Sequence, residues 1–463
     1  MTEKEKNDKN DSKYPSTFTV DCFSSTTKLP IGSVETINEK EYNPFDHRVG
    51  EHQNSSVGAL VHLVKSSLGS GILAMPHAFL SGGAIFSFVG TIIIGILCTH
   101  CVHILVKASH EMSRRKKVPS LAFAETAEAV FEYGPEKIRK FSHTAKVAVN
   151  IGLVVTYFLG NSVYIVLIAS SLSEVVTYHN GGVELMDKRL YMLIILVPII
   201  LTSQFRQLRH LVPFSLLANI CMIVSFIITL YFIFEGFEVS KDVEFLGSID
   251  TIPSFFSTVI FAMEGIGVVM PVENSMDKPQ QFLGCPGVLN IAMSLVVSLY
   301  AIIGLFGYLK YGGITSTNIT SVLPNTPLGD TAKLCIAISV FFTFSLQFHV
   351  PMEITWQKVC EPYIPKKFHN LGQVAVRSLV CAVICCIAIG VPELDPIISL
   401  VGAICLSTLG ILVPAFVETV LRWEGRLGLL KWVLIKNIFL MCFSLFALCA
   451  GTYYAILKII ELY

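Results

Sequence analysis

The chain has 463 residues, of which 53% are hydrophobic and 15% are charged, and its mean hydropathy is +0.64. Apolar runs long enough to cross a bilayer recur from residue 57 to the end, which is typical of a polytopic membrane protein and not of a soluble domain. The formal net charge is zero and no polybasic segment stands out, so we expect no nucleic-acid partner.

The N-terminal segment, residues 1–52, is polar and has no periodic pattern of apolar residues. We expect a disordered cytoplasmic tail there, because such a composition cannot bury enough apolar surface to fold. No apolar signal-peptide core follows its charged residues, so the first membrane span is expected to direct insertion. The remainder, residues 53–463, is predicted to form one transmembrane domain.

Eleven membrane-spanning helices are predicted in that domain, and no strands. A helix is the only single segment that satisfies its own backbone hydrogen bonds in hydrocarbon. The approximate limits of the spans are 57–79, 84–107, 145–177, 190–205, 211–235, 251–272, 283–309, 331–352, 371–390, 394–420 and 431–457.

The distribution of Lys and Arg predicts the orientation of these helices. The connection between the second and third spans is rich in both, including Arg114, Arg115, Lys116 and Lys117, whereas the connection before it has none. We therefore expect a cytoplasmic N-terminus and an extracellular or lumenal C-terminus. The membrane is expected to be the plasma membrane or that of the late endosome or lysosome. This orientation places the acceptor triplet that begins at Asn318 outside, as a candidate glycosylation site.

Thirteen cysteines lie almost entirely within the apolar spans, so an extracellular disulfide framework is not expected. One group resembles a metal-binding cluster, because Cys98, His100, Cys101 and His103 lie close together near the inner end of the second span. A zinc site of this kind needs a second ligand pair at suitable spacing, and the chain offers none. We therefore predict no metal site and interpret these residues as small groups at a helix interface.

The first and sixth spans are each interrupted near their middle by glycine and proline. The interrupting residues are Gly69, Gly71 and Pro76 in the first span and Gly265, Gly267 and Pro271 in the sixth. Two broken spans at corresponding places in the two halves of a chain indicate the binding site of a secondary transporter. The alternative is that these residues only allow close packing or a kink, as they often do in membrane helices.

A break inside the membrane frees backbone N–H groups at the start of the distal half-helix and C=O groups at the end of the proximal one. An α-amino acid fits this arrangement. Its carboxylate would bind the N–H groups near residues 68–71, and its ammonium the carbonyls near residues 262–265. The glycines would let the backbone reach the ligand with no Cβ in the way.

Ionisable residues inside the spans are candidates for function. His62 is the natural proton carrier, although it also fits a neutral packing role. Lys65 and Glu264 could pair, Glu264 could cap the break, or the two charges could only lock the broken helices together. Tyr157 and Tyr164 in the third span could cover the site through a hydroxyl, or only pack.

Three motifs carry a family resemblance. Residues 62–76 read HLVKSSLGSGILAMP, residues 260–274 read IFAMEGIGVVMPVEN, and residues 346–354 read LQFHVPMEI. In this order, on the first, sixth and eighth spans, they resemble the proton-coupled amino acid transporters of the amino acid/auxin permease superfamily. The resemblance runs from about residue 53 to the end.

The resemblance implies an all-α polytopic membrane protein with eleven helices in a leucine-transporter-like, five-plus-five inverted repeat whose helices one and six are broken. It also implies proton-driven symport of small neutral amino acids. The family's proton-coupling histidine falls on His62 and its third-span tyrosine on Tyr164. The chain departs from the family where a Gly-Asn-Ile-Gly-Thr-Gly stretch is common, since residues 66–71 read SSLGSG, and this puts the substrate preference in doubt.

The predicted partners are a small neutral amino acid and the lipid bilayer, with the proton as coupling ion and no cofactor; signalling partners are left open. An enzyme is not expected, because the chain has no HExxH or GxGD motif. Two alternatives stay open: an uncoupled or sodium-coupled carrier of the same fold, and an amino acid sensor that signals through the tail. The residues predicted to contact the substrate are Ser66, Ser67, Leu68, Gly69, Ser70, Gly71, Tyr164, Phe261, Glu264, Gly265, Ile266 and Gly267.

Overall fold

The structure is a computed structural model, and it describes residues 42–48, 54–67, 69–206, 208–263, 265–423, 427–428 and 431–463. Its α-helices are α1 Ser56–Ser67, α2 Gly71–Gly82, α3 Ala84–Lys116, α4 Phe123–Glu132, α5 Glu136–Arg139, α6 Ser142–His179, α7 Lys188–Ser203, α8 Leu208–Phe234, α9 Ile252–Ala262, α10 Ile266–Asn274, α11 Val288–Tyr311, α12 Pro327–Thr355, α13 His369–Gly390, α14 Leu394–Leu400, α15 Val413–Leu421 and α16 Trp432–Ile460. Two π-helical turns, Val401–Leu406 and Thr408–Leu412, join α14 to α15. The described residues contain no strand, only an isolated bridge between Asn54 and Met276.

The all-α polytopic fold predicted from the sequence is confirmed. Each of the eleven predicted spans overlaps a long helix or a broken pair of helices. Within the described residues, nine helices are long and apolar enough to cross a membrane, or ten if the bent pair α1 and α2 counts as one span. The helix α7 has 16 residues, which is short for a span. The exact number of eleven is therefore not confirmed.

Both predicted breaks are present. The helices α1 and α2 meet at a bend of 52°, and α9 ends three residues before α10 begins. α1 packs against α10 and α2 packs against α9, so the two broken spans run antiparallel. In chain order each broken pair opens a set of five spans, as the predicted five-plus-five arrangement requires. The breaks thus lie side by side in the bundle, and we call the end where α1 begins and α10 ends the N-terminal end.

Part of the predicted tail is ordered. Pro44–His47 forms a short 3₁₀ helix, and the Asn43 side chain accepts a hydrogen bond from the amide of Phe45 at its start. The next residue, Arg48, reaches into the bundle through hydrogen bonds described below. Of the predicted tail the structure thus describes residues 42–48, and the other residues of 1–52 lie outside the described part of the chain, so the disorder of the tail stays a prediction.

Candidate functional site

The distal half of each broken span begins without a side-chain cap. α2 starts after Ser70 and α10 starts after Gly265, and neither residue's side chain accepts a hydrogen bond from the helix. The first backbone N–H groups of a helix have no partner within it, so they remain available as donors for an anionic group. The first break therefore has the chemistry that the sequence predicts for binding a carboxylate, and the second break has free N–H groups as well.

The freed carbonyl groups have a protein partner that the sequence analysis missed. Tyr300 lies fully buried in α11, and its hydroxyl donates to the carbonyl oxygen of Ala262 at 2.9 Å and to that of Ser67. These two carbonyls end the proximal halves of the two broken spans. A tyrosine in the middle of an apolar span is the signal that could have revealed it, because a buried hydroxyl needs a partner.

The four glycines at the breaks have different surroundings. A Cβ added at Gly71 would lie 2.6 Å from the Cα of Ala262, and one added at Gly267 would clash with the hydroxyl of Tyr157. Gly71 therefore allows the two broken helices to touch, which is a packing role and not the predicted approach to a ligand. A Cβ at Gly69 would meet nothing closer than 3.9 Å, and one at Gly265 nothing closer than 3.4 Å. Of these four glycines, Gly69 and Gly265 are therefore the two with space beside them among the described residues.

This difference predicts opposite effects for two substitutions. We expect Gly69→Val to abolish uptake while the purified protein keeps its melting temperature, because the branched side chain fills only open space beside the break. Gly71→Ala should lower the melting temperature, since overpacking costs about 1–3 kcal/mol. Uptake in cells and thermal unfolding in detergent measure the two effects. Normal uptake by Gly69→Val would mean that no ligand approaches this backbone.

A small cavity lies beside the breaks. Its volume is about 30 Å³, enough for about two water molecules and too small for an amino acid in this conformation. Among the described residues that line it, none is Lys, Arg, His, Asp or Glu. The lining residues are Leu63, Ser67, Cys98, Val102, Ile260, Met263, Gly265, Val269, Met293, Leu406 and Gly410. Of the residues predicted to contact the substrate, this cavity brings together Ser67 and Gly265.

Other predicted site residues lie around the cavity without lining it. Ser70, Tyr164 and Phe261 are buried, and the Ser66 hydroxyl donates to the carbonyl of Leu63 at 3.3 Å. Leu68 and Glu264 lie outside the described residues, as does the side chain of Ile266. The predicted Lys65–Glu264 pair lies outside them as well.

His62 is half-buried on α1, one turn before Ser66 and therefore below the break. It does not line the cavity. Lys65 is exposed on the same helix and makes no ion pair with any residue that the structure describes. The geometry thus places His62 next to the site and not in contact with it.

Similarity to known proteins decides the family. The family model described as "Transmembrane amino acid transporter protein" matches residues 52–457. The chain belongs to this family. It is 38% identical over 424 residues to the "Proton-coupled amino acid transporter-like protein pathetic" of Drosophila melanogaster, covering 91% of this chain and 89% of that protein. It is 27% identical over 420 residues to the "Probable amino acid transporter skat-1" of Caenorhabditis elegans, covering 87% of this chain and 90% of that one. The chain is an amino acid transporter and not an enzyme.

Two solved structures also resemble this amino acid transporter. MhsT in complex with L-phenylalanine is 14% identical, with a TM-score of 0.49, and the match covers 88% of this chain and 100% of that one. Mhp1, a nucleobase-cation-symport-1 family transporter in a closed conformation with bromovinylhydantoin bound, is 13% identical, also with a TM-score of 0.49, covering 89% and 92%. Neither likeness identifies a substrate for this transporter.

A buried charged cluster closes the N-terminal end of the transporter's broken spans. Glu273, in the last turn of α10, is fully buried. It accepts a hydrogen bond from Arg48 at 2.8 Å and one from Nε2 of His110, on α3, at 2.7 Å. Arg48 also donates to the carbonyl of Pro119 at 2.9 Å. This Glu273 cluster ties the segment before α1 to α10, α3 and the loop after α3.

A looser cluster lies at the opposite end. Nδ1 of His77, on α2, is 3.7 Å from Oδ1 of Asp395, at the start of α14. Asp395 accepts hydrogen bonds from the hydroxyl of Tyr454 at 3.0 Å and from that of Ser254, on α9, at 3.1 Å. This Asp395 cluster connects both broken spans to α14 and α16. Each end of the broken pair is therefore joined to its neighbours by a carboxylate.

The structure also shows the surroundings of two other residues from the sequence predictions, His100 and Asn318. His100 of the predicted cysteine–histidine interface accepts a hydrogen bond from Nζ of Lys436 at 2.9 Å, and Lys436 also donates to Glu418 at 2.6 Å. The structure thus gives His100 a charged network as well as packing.

Asn318 is 1% exposed, and its Oδ1 accepts a hydrogen bond from the amide of Thr320 at 3.1 Å. Glycosylation of Asn318 stays a prediction.

Proposed function

We propose that this transporter carries small neutral amino acids by proton symport. The observation that carries the proposal is the cavity beside the two breaks, because its described lining is apolar except for Ser67 and has no charged side chain. A charged substrate side chain buried there would lack a partner, which is costly. The name of the Drosophila relative supports proton coupling.

The amino acid would lie across the two breaks. Its carboxylate would accept hydrogen bonds from the uncapped N–H groups at the start of α2, beside Gly69. Its ammonium would donate to the carbonyls of Ser67 and Ala262, which it would share with the hydroxyl of Tyr300. Since the cavity is too small for this ligand, binding requires the two broken spans to separate from their neighbours.

The two carboxylate clusters would take part in alternating access. Opening the N-terminal end would break the Glu273 cluster, and opening the other end would break the Asp395 cluster. In this structure the contacts of Glu273 with Arg48 and His110 are shorter than the contact of His77 with Asp395. We place the N-terminal end in the cytoplasm, following the distribution of Lys and Arg. Antibody access to an N-terminal tag on intact cells would overturn this orientation.

His62 is the proposed proton-coupling residue. Histidine is the side chain whose charge ordinarily changes between pH 5 and 8, whereas Lys and Glu ordinarily keep theirs. His62 lies on α1 beside the break, where a change of charge would act on the helix that binds the substrate. Lys65 lies one turn away on the same helix, so a second positive charge at His62 would repel it and bias the position of α1.

We expect His62→Ala to remove the stimulation of uptake by an inward proton gradient, while exchange of labelled for unlabelled amino acid persists. Uptake of radiolabelled L-alanine at pH 5.5 and 7.5, with and without sodium, measures this. The matched control is His179→Ala, because the side chain of His179 is 66% exposed and far along the chain from both breaks. Wild-type pH dependence in His62→Ala would make His62 a packing residue, and uptake that requires sodium would contradict proton coupling.

A further inference from the structure

We propose that Asn161, on α6, binds the transported amino acid and determines specificity through its side-chain amide; this rests on the proposed function. Asn161 is fully buried, and neither its Nδ2 nor its Oδ1 has a hydrogen-bond partner among the residues that the structure describes. Buried polar side chains nearly always have a partner, and an amide offers both donors and an acceptor. A completely unpaired buried amide is therefore a group that awaits a polar ligand.

The position of Asn161 brings it to the breaks. It follows Tyr157 by four residues and precedes Tyr164 by three, so all three side chains share one face of α6. The hydroxyl of Tyr157 lies over Gly267, at the start of α10, where an added Cβ would clash with it. This face of α6 therefore points at the break in the sixth span. Asn161 is one turn, about 6 Å, further along the helix, which is within the length of an amino acid.

Open space lies next to this amide. Gly160 is buried, yet no described atom lies within 4 Å of the position that its Cβ would occupy, apart from its two chain neighbours and the adjacent backbone of α6. A buried glycine with nothing beside it faces an internal space and not solvent. The space and the unpaired amide are neighbours in sequence and lie on adjacent faces of α6. A small amino acid that extends from the breaks toward α6 would meet both.

The alternative is a structural role, in which an ordered water satisfies Asn161. The two roles predict opposite changes in stability when the amide is replaced. Replacing an unpaired buried amide with an apolar side chain of similar size does not lower stability, because it removes a desolvated polar group. Replacing a structural amide breaks hydrogen bonds and lowers stability. Binding, in contrast, suffers only if the amide contacts the ligand.

The test is Asn161→Leu in the full-length transporter. We expect the KM for L-alanine uptake to rise at least tenfold at normal surface expression. The melting temperature without substrate should stay the same or rise, and the stabilisation that saturating L-alanine gives to the wild type should disappear. The matched control is Asn437→Leu, because buried Asn437 donates to Thr419 at 3.1 Å. That change should lower the melting temperature and leave the KM unchanged.

An unchanged KM in Asn161→Leu would overturn the role of Asn161, whatever happens to the melting temperature. If Asn161→Leu fails to fold, Asn161→Thr gives the same readouts. If both variants fail to fold while Asn437→Leu folds, Asn161 has a structural role and the proposed binding role is overturned. A wild-type chain that neither takes up L-alanine nor is stabilised by it would contradict the proposed substrate class and, with it, this role. Wild-type uptake with an unchanged KM in the variant contradicts the role of Asn161 alone.

Discussion

Tyr300→Phe is expected to lower amino acid uptake about tenfold or more while the transporter still reaches the membrane. The hydroxyl of Tyr300 donates to the carbonyls of Ser67 and Ala262, which are the groups freed by the two breaks. Phenylalanine keeps the ring and its packing, so the change removes the hydroxyl and its hydrogen bonds. A buried carbonyl left without a donor costs about 1–3 kcal/mol, and about 1.4 kcal/mol corresponds to a factor of ten.

Uptake should fall because the single hydroxyl of Tyr300 forms hydrogen bonds at both breaks. It carries a single proton, so it satisfies the two carbonyls by sharing or by alternating between them. Both carbonyls lie at the ends of helices that must move when substrate binds. Without the hydroxyl, α1 and α9 lose their common partner on α11, and the geometry of the breaks that receives the substrate is no longer held. The loss should therefore appear in transport more than in overall stability.

Uptake of radiolabelled L-alanine, normalised to surface protein, measures this effect. The matched control is Tyr308→Phe, which makes the same change on the same helix. Tyr308 is also buried, but its hydroxyl accepts from the amide of Glu244, far from the breaks. We expect Tyr308→Phe to transport nearly as well as the wild type. Equal uptake by both variants would contradict a role for Tyr300 at the breaks and leave it as a packing residue.

Glu273→Gln is expected to destabilise the folded transporter by about 3–5 kcal/mol, the usual cost of removing one partner from a buried ion pair. Its side chain is fully buried, and that of Arg48 is 5% exposed. Glutamine keeps the shape but removes the negative charge that faces both Arg48 and His110. The guanidinium of Arg48 is always charged, so it would remain buried without the carboxylate of Glu273. Thermal and denaturant unfolding in detergent measure this loss.

The chain offers an exposed pair as control. Glu461 pairs with Lys458 at 2.7 Å, and their side chains are 63% and 41% exposed. Solvent weakens such pairs, so Glu461→Gln should change the stability by at most about 1 kcal/mol. The double change Arg48→Leu with Glu273→Leu should restore much of the stability, because it removes both charges. If Glu273→Gln unfolds at the wild-type temperature, the Glu273 cluster does not hold the N-terminal end together.

The helices and the places of the two breaks follow from the sequence alone. A bilayer demands long apolar helices, so the spans appear as runs of apolar residues. Clusters of glycine and proline mark where a helix can break, although the breaks lie at the glycines and Pro76 and Pro271 lie inside α2 and α10. These are local properties of the chain. The same reasoning identified His62 and the segments around Gly69 and Gly265 as candidates before any contact between helices was known.

Which side chains meet across the bundle was decided only by the tertiary structure. Tyr300 is one polar residue within an apolar span, and nothing near it in sequence reveals that it reaches two carbonyls on other helices. Gly69 and Gly71 look alike in the sequence, yet one faces open space and the other touches Ala262.

Arg48 lies in a polar segment whose composition predicts disorder, because composition records only how much apolar surface a segment can bury. Its order comes instead from an ion pair with Glu273, more than two hundred residues away. Asn161, similarly, is unusual because no described residue of a neighbouring helix forms a hydrogen bond with its side chain. The sequence determined where helices form and break, since backbone hydrogen bonding in the membrane is a local requirement. The packing of distant helices determined which polar groups are paired and which remain for a substrate.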